Sequence, residues 1–68
     1  MIVKFNAHKF YRHRNCIDID FYICGVVYET DKYVIVVVRY WNRFSKWFHD
    51  GKHAVSINKK DFKNWSLL

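Results

Sequence analysis

The chain of 68 residues has no proline and only two glycines, Gly25 and Gly51. So few breakers exclude a Pro- or Gly-rich linker. Disordered tails are poor in aromatic residues, whereas this chain carries 3 Trp, 5 Tyr and 6 Phe. Cysteine is sparse as well. Cys16 and Cys24 allow at most one disulfide, and the alternating polar and apolar residues at the N-terminus are unlike a secretory signal. Both cysteines are therefore expected as reduced thiols in a cytoplasmic protein. No apolar run is long. Val34 to Val38 has five residues, against about 20 for a membrane-spanning helix, so no membrane partner is expected. Acids are outnumbered, with 6 Asp+Glu against 12 Lys+Arg and a formal net charge of +6. That balance excludes an acidic mimic of nucleic acid and suits an anionic partner.

What the chain does hold is apolar and flat: 51% of its residues are hydrophobic and 21% aromatic. A single domain over residues 1–68 buries only about 60% of its unfolded surface, and rings that each bury roughly 150–250 Å² compensate for the small size. Five strand-like segments are legible. Ile2 to Tyr11 alternates loosely. Ile17 to Ile23 alternates most cleanly, with Ile17, Ile19, Phe21 and Ile23 on one face. Gly25 marks a bulge or bend before Val26 to Tyr28. Glu29 to Lys32 is a polar turn. Tyr33 to Trp41 is apolar on both faces for much of its length, as a central strand is. Val34 to Val38 at an edge would invite aggregation, which is a further reason to expect it inside the sheet.

After a tight turn at Asn42 to Ser45, Asp50-Gly51 reads as the two-residue turn of a hairpin between strands Lys46 to His49 and Lys52 to Ile57. In that hairpin His49 faces Lys52 and His53 faces Phe48. Asn58 then caps a short helical turn with Asp61 three residues on and Phe62 and Trp65 along its apolar edge. The fold class is mainly β: a small five-stranded antiparallel curled sheet or SH3-like barrel with a short C-terminal helical turn. An OB-like barrel and a bare sheet packed on the terminal helix are the alternatives.

Charge is segregated along the chain. Residues 1–16 hold Lys4, Lys9, Arg12 and Arg14 and no acid. Residues 17–31 hold Asp18, Asp20, Glu29 and Asp31 and no Lys or Arg. Residues 33–49 hold Arg39, Arg43 and Lys46, again without acid. Alternation puts Asp18 and Asp20 on an outer, exposed row, available to pair with neighbouring basic rows.

Two basic clusters are interleaved with aromatics. In the first, Lys9, Tyr11, Arg12 and Arg14 sit among His8, Phe10 and His13. In the second, Arg39, Tyr40, Trp41, Arg43, Lys46 and Trp47 sit with Phe44 and Phe48. Phosphate binding needs cations that reach outward, and base binding needs flat apolar faces. The plain alternative is that the rings belong to the core and the arginine stems cover them. Metal binding draws less support: His8, His13 and Cys16 are close in sequence, and His49 and His53 flank Asp50-Gly51, but no C-x2-C pair is present. A Cys16–His13 nucleophile and base is conceivable, yet no phosphate loop, dinucleotide fingerprint or nucleophile elbow exists. No enzyme activity, metal or cofactor is expected.

The expected function is nucleic-acid binding, DNA or RNA undecided, through phosphate contacts from residues 9–14 and 39–46 and stacking on Tyr11, Tyr40, Trp41 or Trp47. The rival is a protein-binding adaptor or inhibitor, of an accessory, virus- or plasmid-type gene, docking through the aromatic loop. An open sheet edge would favour a homodimer. A row of Asp18 and Asp20 between the two basic clusters would count against nucleic acid.

Overall fold

The computed structural model describes residues 4–68. Their strands are β1 (Phe10–His13), β2 (Ile19–Glu29), β3 (Tyr33–Asn42), β4 (Trp47–Phe48), β5 (His53–Asn58) and β6 (Trp65–Leu67), with a 3-10 helix at Lys59–Asn64 before β6. All pairings are antiparallel in one six-stranded sheet of order β4-β3-β2-β1-β6, with β5 also on β3. The sheet curls but does not close, because no ladder joins β6 to β4 or β5. The curled-sheet form of the expectation therefore holds, and neither an SH3-like nor an OB-like barrel is completed. No helix among the described residues is long and apolar enough to cross a membrane.

Strand β3 is central, as its apolar run requires. It pairs with β2 along one edge and with β5 and β4 along the other. Val34, Val36 and Val38 point inward at 0–3% exposure. They meet Ile23, Ile57 and an aromatic group in which the Phe5 ring lies 4.7 Å from Tyr11 and 5.2 Å from both Phe62 and Trp65. Such tilted and edge-on pairs add about 0.5–1.5 kcal/mol each beyond area burial. The bend expected at Gly25 is present. Between Ile23↔Val38 and Gly25↔Val37 the register shifts by one residue, and it shifts again between Val26 and Tyr28.

Several expectations need correction. Of the expected first strand, Ile2 and Val3 lie outside the described residues, and the strand itself starts at Phe10. Before it the chain bends at His8 (φ 64), with the His8 and Ile23 amides donating to Ile23 and Lys9 carbonyls. Ile17 sits in a bend ahead of β2 and is 71% exposed rather than core. A sixth strand exists because Trp65, expected on the helical edge, caps the 3-10 helix in extended geometry and continues as β6 against β1. The N-cap is as expected: the Asn58 side chain accepts from the Lys60 amide.

The largest correction concerns Asp50-Gly51. Strands β4 and β5 do not pair with each other; they lie end to end along the same edge of β3. Trp41↔Phe48 and Val38↔His53 are both registered pairs, so two more residues separate Phe48 from His53 than separate Val38 from Trp41. Asp50-Gly51 is thus a bulge in one interrupted strand, with Gly51 at φ 84. The physical reason is β3 itself. A β4–β5 hairpin would leave its second edge bare along an apolar run, whereas the bulge lets the returning chain cover Tyr33 to Val38.

Candidate functional site

Alternation and register set two rows of side chains on the outer face. Phe10, Tyr22 and Arg39 are cross-strand neighbours in one row; Asp20, Trp41 and Phe48 are neighbours in the other, with Arg12 beside Asp20. In a flat sheet β1 and β4 would stand ~14 Å apart. The Phe10 and Phe48 rings nevertheless approach to 6.1 Å, their side chains reaching toward each other above β2 and β3. Phe48 also meets Trp41 at 5.0 Å and Tyr22 at 6.3 Å, and the Arg39 guanidinium lies 4.4 Å over its ring, a cation–π contact. His8 and the Tyr22 hydroxyl are joined at 3.0 Å. Beside the rings lies a dent of about 390 Å³ lined by His8, Lys9, Phe10, Asp20, Trp41 and Leu68.

Asp20 ties this face together. Arg12 donates through Nε and Nη2 to both carboxylate oxygens, at 2.8 and 3.1 Å. That hydrogen bond pushes the Arg12 guanidinium pKa further up from its ordinary value. Arg43 Nε lies 3.4 Å from the same carboxylate, and its Nη2 donates to the carbonyls of Cys16 and Ile17. Arg43 Nε is buried without a directed hydrogen bond, so charge rather than geometry holds that end. Asp20 is 5% exposed, which corrects the exposed acidic row and any paired-carboxylate site. The fold buries Asp20 because Arg12 and Arg43 supply it with partners that solvent would otherwise provide.

The ten expected site residues separate into groups. Arg12, Arg39, Trp41 and Arg43 converge on the outer face, with exposed Lys9 at its rim. Lys46 stands on the exposed β3–β4 turn and Trp47 opens β4 beside it; Asn42 organises that turn by accepting from the Phe44 and Ser45 amides. Arg14 is exposed and turned to Asn64. Tyr11 is a correction: at 1% exposure it is a core ring whose hydroxyl accepts from the Asn6 amide, and it cannot stack on a base. Tyr40 is likewise off the outer face. It points inward, 5.4 Å from Phe21 and 4.9 Å from His53.

That inward end of β3 forms a cleft the sequence reading missed. It is an open cleft of about 560 Å³, lined by Cys16, Ile19, Phe21 and Tyr40 together with His49 and the more exposed Asp50 and His53. The bulge creates it, because two strands set end to end bring both histidines against Tyr40. The available signal was the four-residue spacing of His49 and His53 around Asp50-Gly51, which the hairpin assignment turned into diagonal neighbours. No three metal-ligating side chains come together among the described residues. His13 does not serve Cys16: its Nε2 meets Asp61 at 3.0 Å and its Nδ1 accepts from the Asn15 amide. Asp61 is held below the usual carboxylate range by its hydrogen bond from Asn64, and also by those from His13 and Trp65, against an opposing effect of burial. Comparison with protein-family models, curated proteins and solved structures finds no match to this chain.

Proposed function

We propose that the protein binds nucleic acid along the outer face. Arg39, Arg12, Lys9 and the Lys46 turn would contact phosphates, and the half-buried Trp41 ring would stack on a base. One observation carries this reading. The two basic clusters, far apart in sequence, meet on one face with rings between them, through Arg12 and Arg43 on a shared Asp20. The acid between the clusters does reduce the charge, and Arg43 is committed to the loop carbonyls. It is nevertheless a single buried carboxylate, and the chain as a whole keeps a net charge of +6. The contacts are few, so affinity is modest and salt-dependent.

The test is fluorescence anisotropy of labelled single- and double-stranded DNA and RNA at about 50 and 200 mM salt. The expected result is binding at the lower salt that weakens about tenfold or more at the higher. Absence of binding at every salt concentration ends the reading. Docking on a protein is the second reading, favoured by Phe44 at 73% exposure on the β3–β4 turn and Trp47 at 50% at the start of β4. Phe44→Ala separates the two, since it leaves oligonucleotide binding unchanged and removes a protein anchor.

A further inference from the structure

The cleft at the end of β3 holds polar side chains that the fold does not use. His8 is bonded to Tyr22, and His13 to Asp61 and Asn15. In contrast, the side chains of Tyr40, His49, Asp50 and His53 make no hydrogen bond or ion pair with any described residue, and they all border one cleft of about 560 Å³. That volume is in the ~300–1,000 Å³ range of small-ligand sites, and its apolar floor with a few convergent polar groups is their usual composition. Two of its rings pack on each other: the His53 ring lies 4.9 Å from the Tyr40 ring at an interplanar angle of 36°.

The chemistry of the occupant follows by elimination. No Lys or Arg lines the cleft, so a carboxylate or phosphate would find no counter-charge inside. An organic cation would find one carboxylate, Asp50, and otherwise the field of a chain with a net charge of +6. A plain hydrocarbon would leave Asp50 and the imidazoles covered without partners. A flat, neutral heterocycle with donors and acceptors on its edge meets all three conditions. Its face stacks on the exposed ring of His53, its N–H groups donate to Asp50, and the imidazole nitrogens and the Tyr40 hydroxyl offer further edge contacts. We propose that this cleft is a nucleobase subsite, taking one base while the attached phosphate stays outside, in the field of the basic protein. The identity of the occupant rests on the nucleic-acid reading above; the existence of unused edge-reading groups does not.

The experiment is a titration of the ¹⁵N-labelled protein with guanosine 5′-monophosphate and adenosine 5′-monophosphate, followed by NMR, with ribose 5-phosphate as the probe lacking a base. The expected result is saturable movement of the His49, Asp50, His53 and Tyr40 signals at millimolar nucleotide, and none with ribose 5-phosphate. Asp50→Ala and His53→Ala, both at exposed positions, should each weaken that response by about three- to tenfold, the worth of one hydrogen bond. Equal shifts with ribose 5-phosphate, or shifts confined to Lys9 and Arg39, overturn the subsite. If oligonucleotides bind with the expected salt dependence while neither nucleotide moves the cleft, the subsite falls and the outer-face reading stands. If neither oligonucleotides nor nucleotides bind, both fall.

Discussion

On the outer face, Arg12 and Arg43 close on Asp20, His8 meets Tyr22, and Arg39 lies over Phe48. One side of β3 away, the side chains of Tyr40, His49, Asp50 and His53 border a cleft and make no hydrogen bond or ion pair with any described residue. Trp41 and Tyr40 are adjacent in sequence and belong to these two different environments. The outer face resembles a second core in which part of the charge is paired within the fold. The cleft resembles a surface whose polar groups are kept for something else. A basic, aromatic cluster in a sequence therefore does not by itself mean an available one, because part of its charge is spent internally. The comparison can be broken by removing a used group and an unused one and measuring what each removal costs.

Asp20→Ala should have the largest effect. It leaves two guanidiniums without their shared carboxylate, one of them with a buried Nε. A loss of about 2 kcal/mol in unfolding free energy is expected, read from urea denaturation. A loss below about 0.5 kcal/mol, the level of an ordinary surface change, would mean the clamp does not hold the face together. Next in size is the double variant Lys9→Ala with Arg39→Ala. It should flatten the salt dependence of oligonucleotide affinity by about two units while leaving the nucleotide response of the cleft unchanged. An unchanged slope would remove both residues from the phosphate path.

How much of this was legible depends on the range over which each feature is determined. The central place of Val34 to Val38, the bulge near Gly25 and the Asn58 cap follow from local pattern, and all three are present. The Asp50-Gly51 signal was read as a hairpin turn, and the structure has a bulge there instead. Which strand the returning chain pairs with is decided by the uncovered edge of β3, and no short window contains that edge. Tyr11 shows the same limit at one residue. Its neighbours Lys9 and Arg12 suggest a surface, but strand parity turns it toward Phe5, which lies beyond the bend at His8 and which alternation along the strand does not connect to it. The Asp20 clamp was half legible: opposite charges in neighbouring segments were visible, the burial was not. The cleft was hardest to see, because its lining comes from the β1–β2 loop, β2, β3, the bulge and β5.

A smaller effect concerns His13, which belongs with the used groups. Asp61 has its pKa lowered in the folded protein by Asn64 and by His13. A carboxylate with a depressed folded value stabilises the fold above its unfolded pKa of about 3.9, and that contribution is lost as pH falls through the lower folded value. Stability should therefore drop on acidification below about pH 4. Asp61→Asn should be less stable than the parent at neutral pH and should show a flatter profile in the acid window. Parallel profiles for the two proteins would assign the acid sensitivity to other carboxylates.

The smallest effect is the most discriminating one. Asp50→Ala and His53→Ala each remove a polar group that has no partner in the fold, at exposed positions beside the bulge. Neither variant opens a buried cavity and neither strands a buried donor or acceptor. Both should stay within about 0.5 kcal/mol of the parent in urea denaturation. A destabilisation of about 1.5 kcal/mol or more in either variant would mean that these groups do hold the bulge against β3. The contrast between used and unused polar groups would then disappear, and with it the argument that the cleft retains its edge-reading side chains for a ligand.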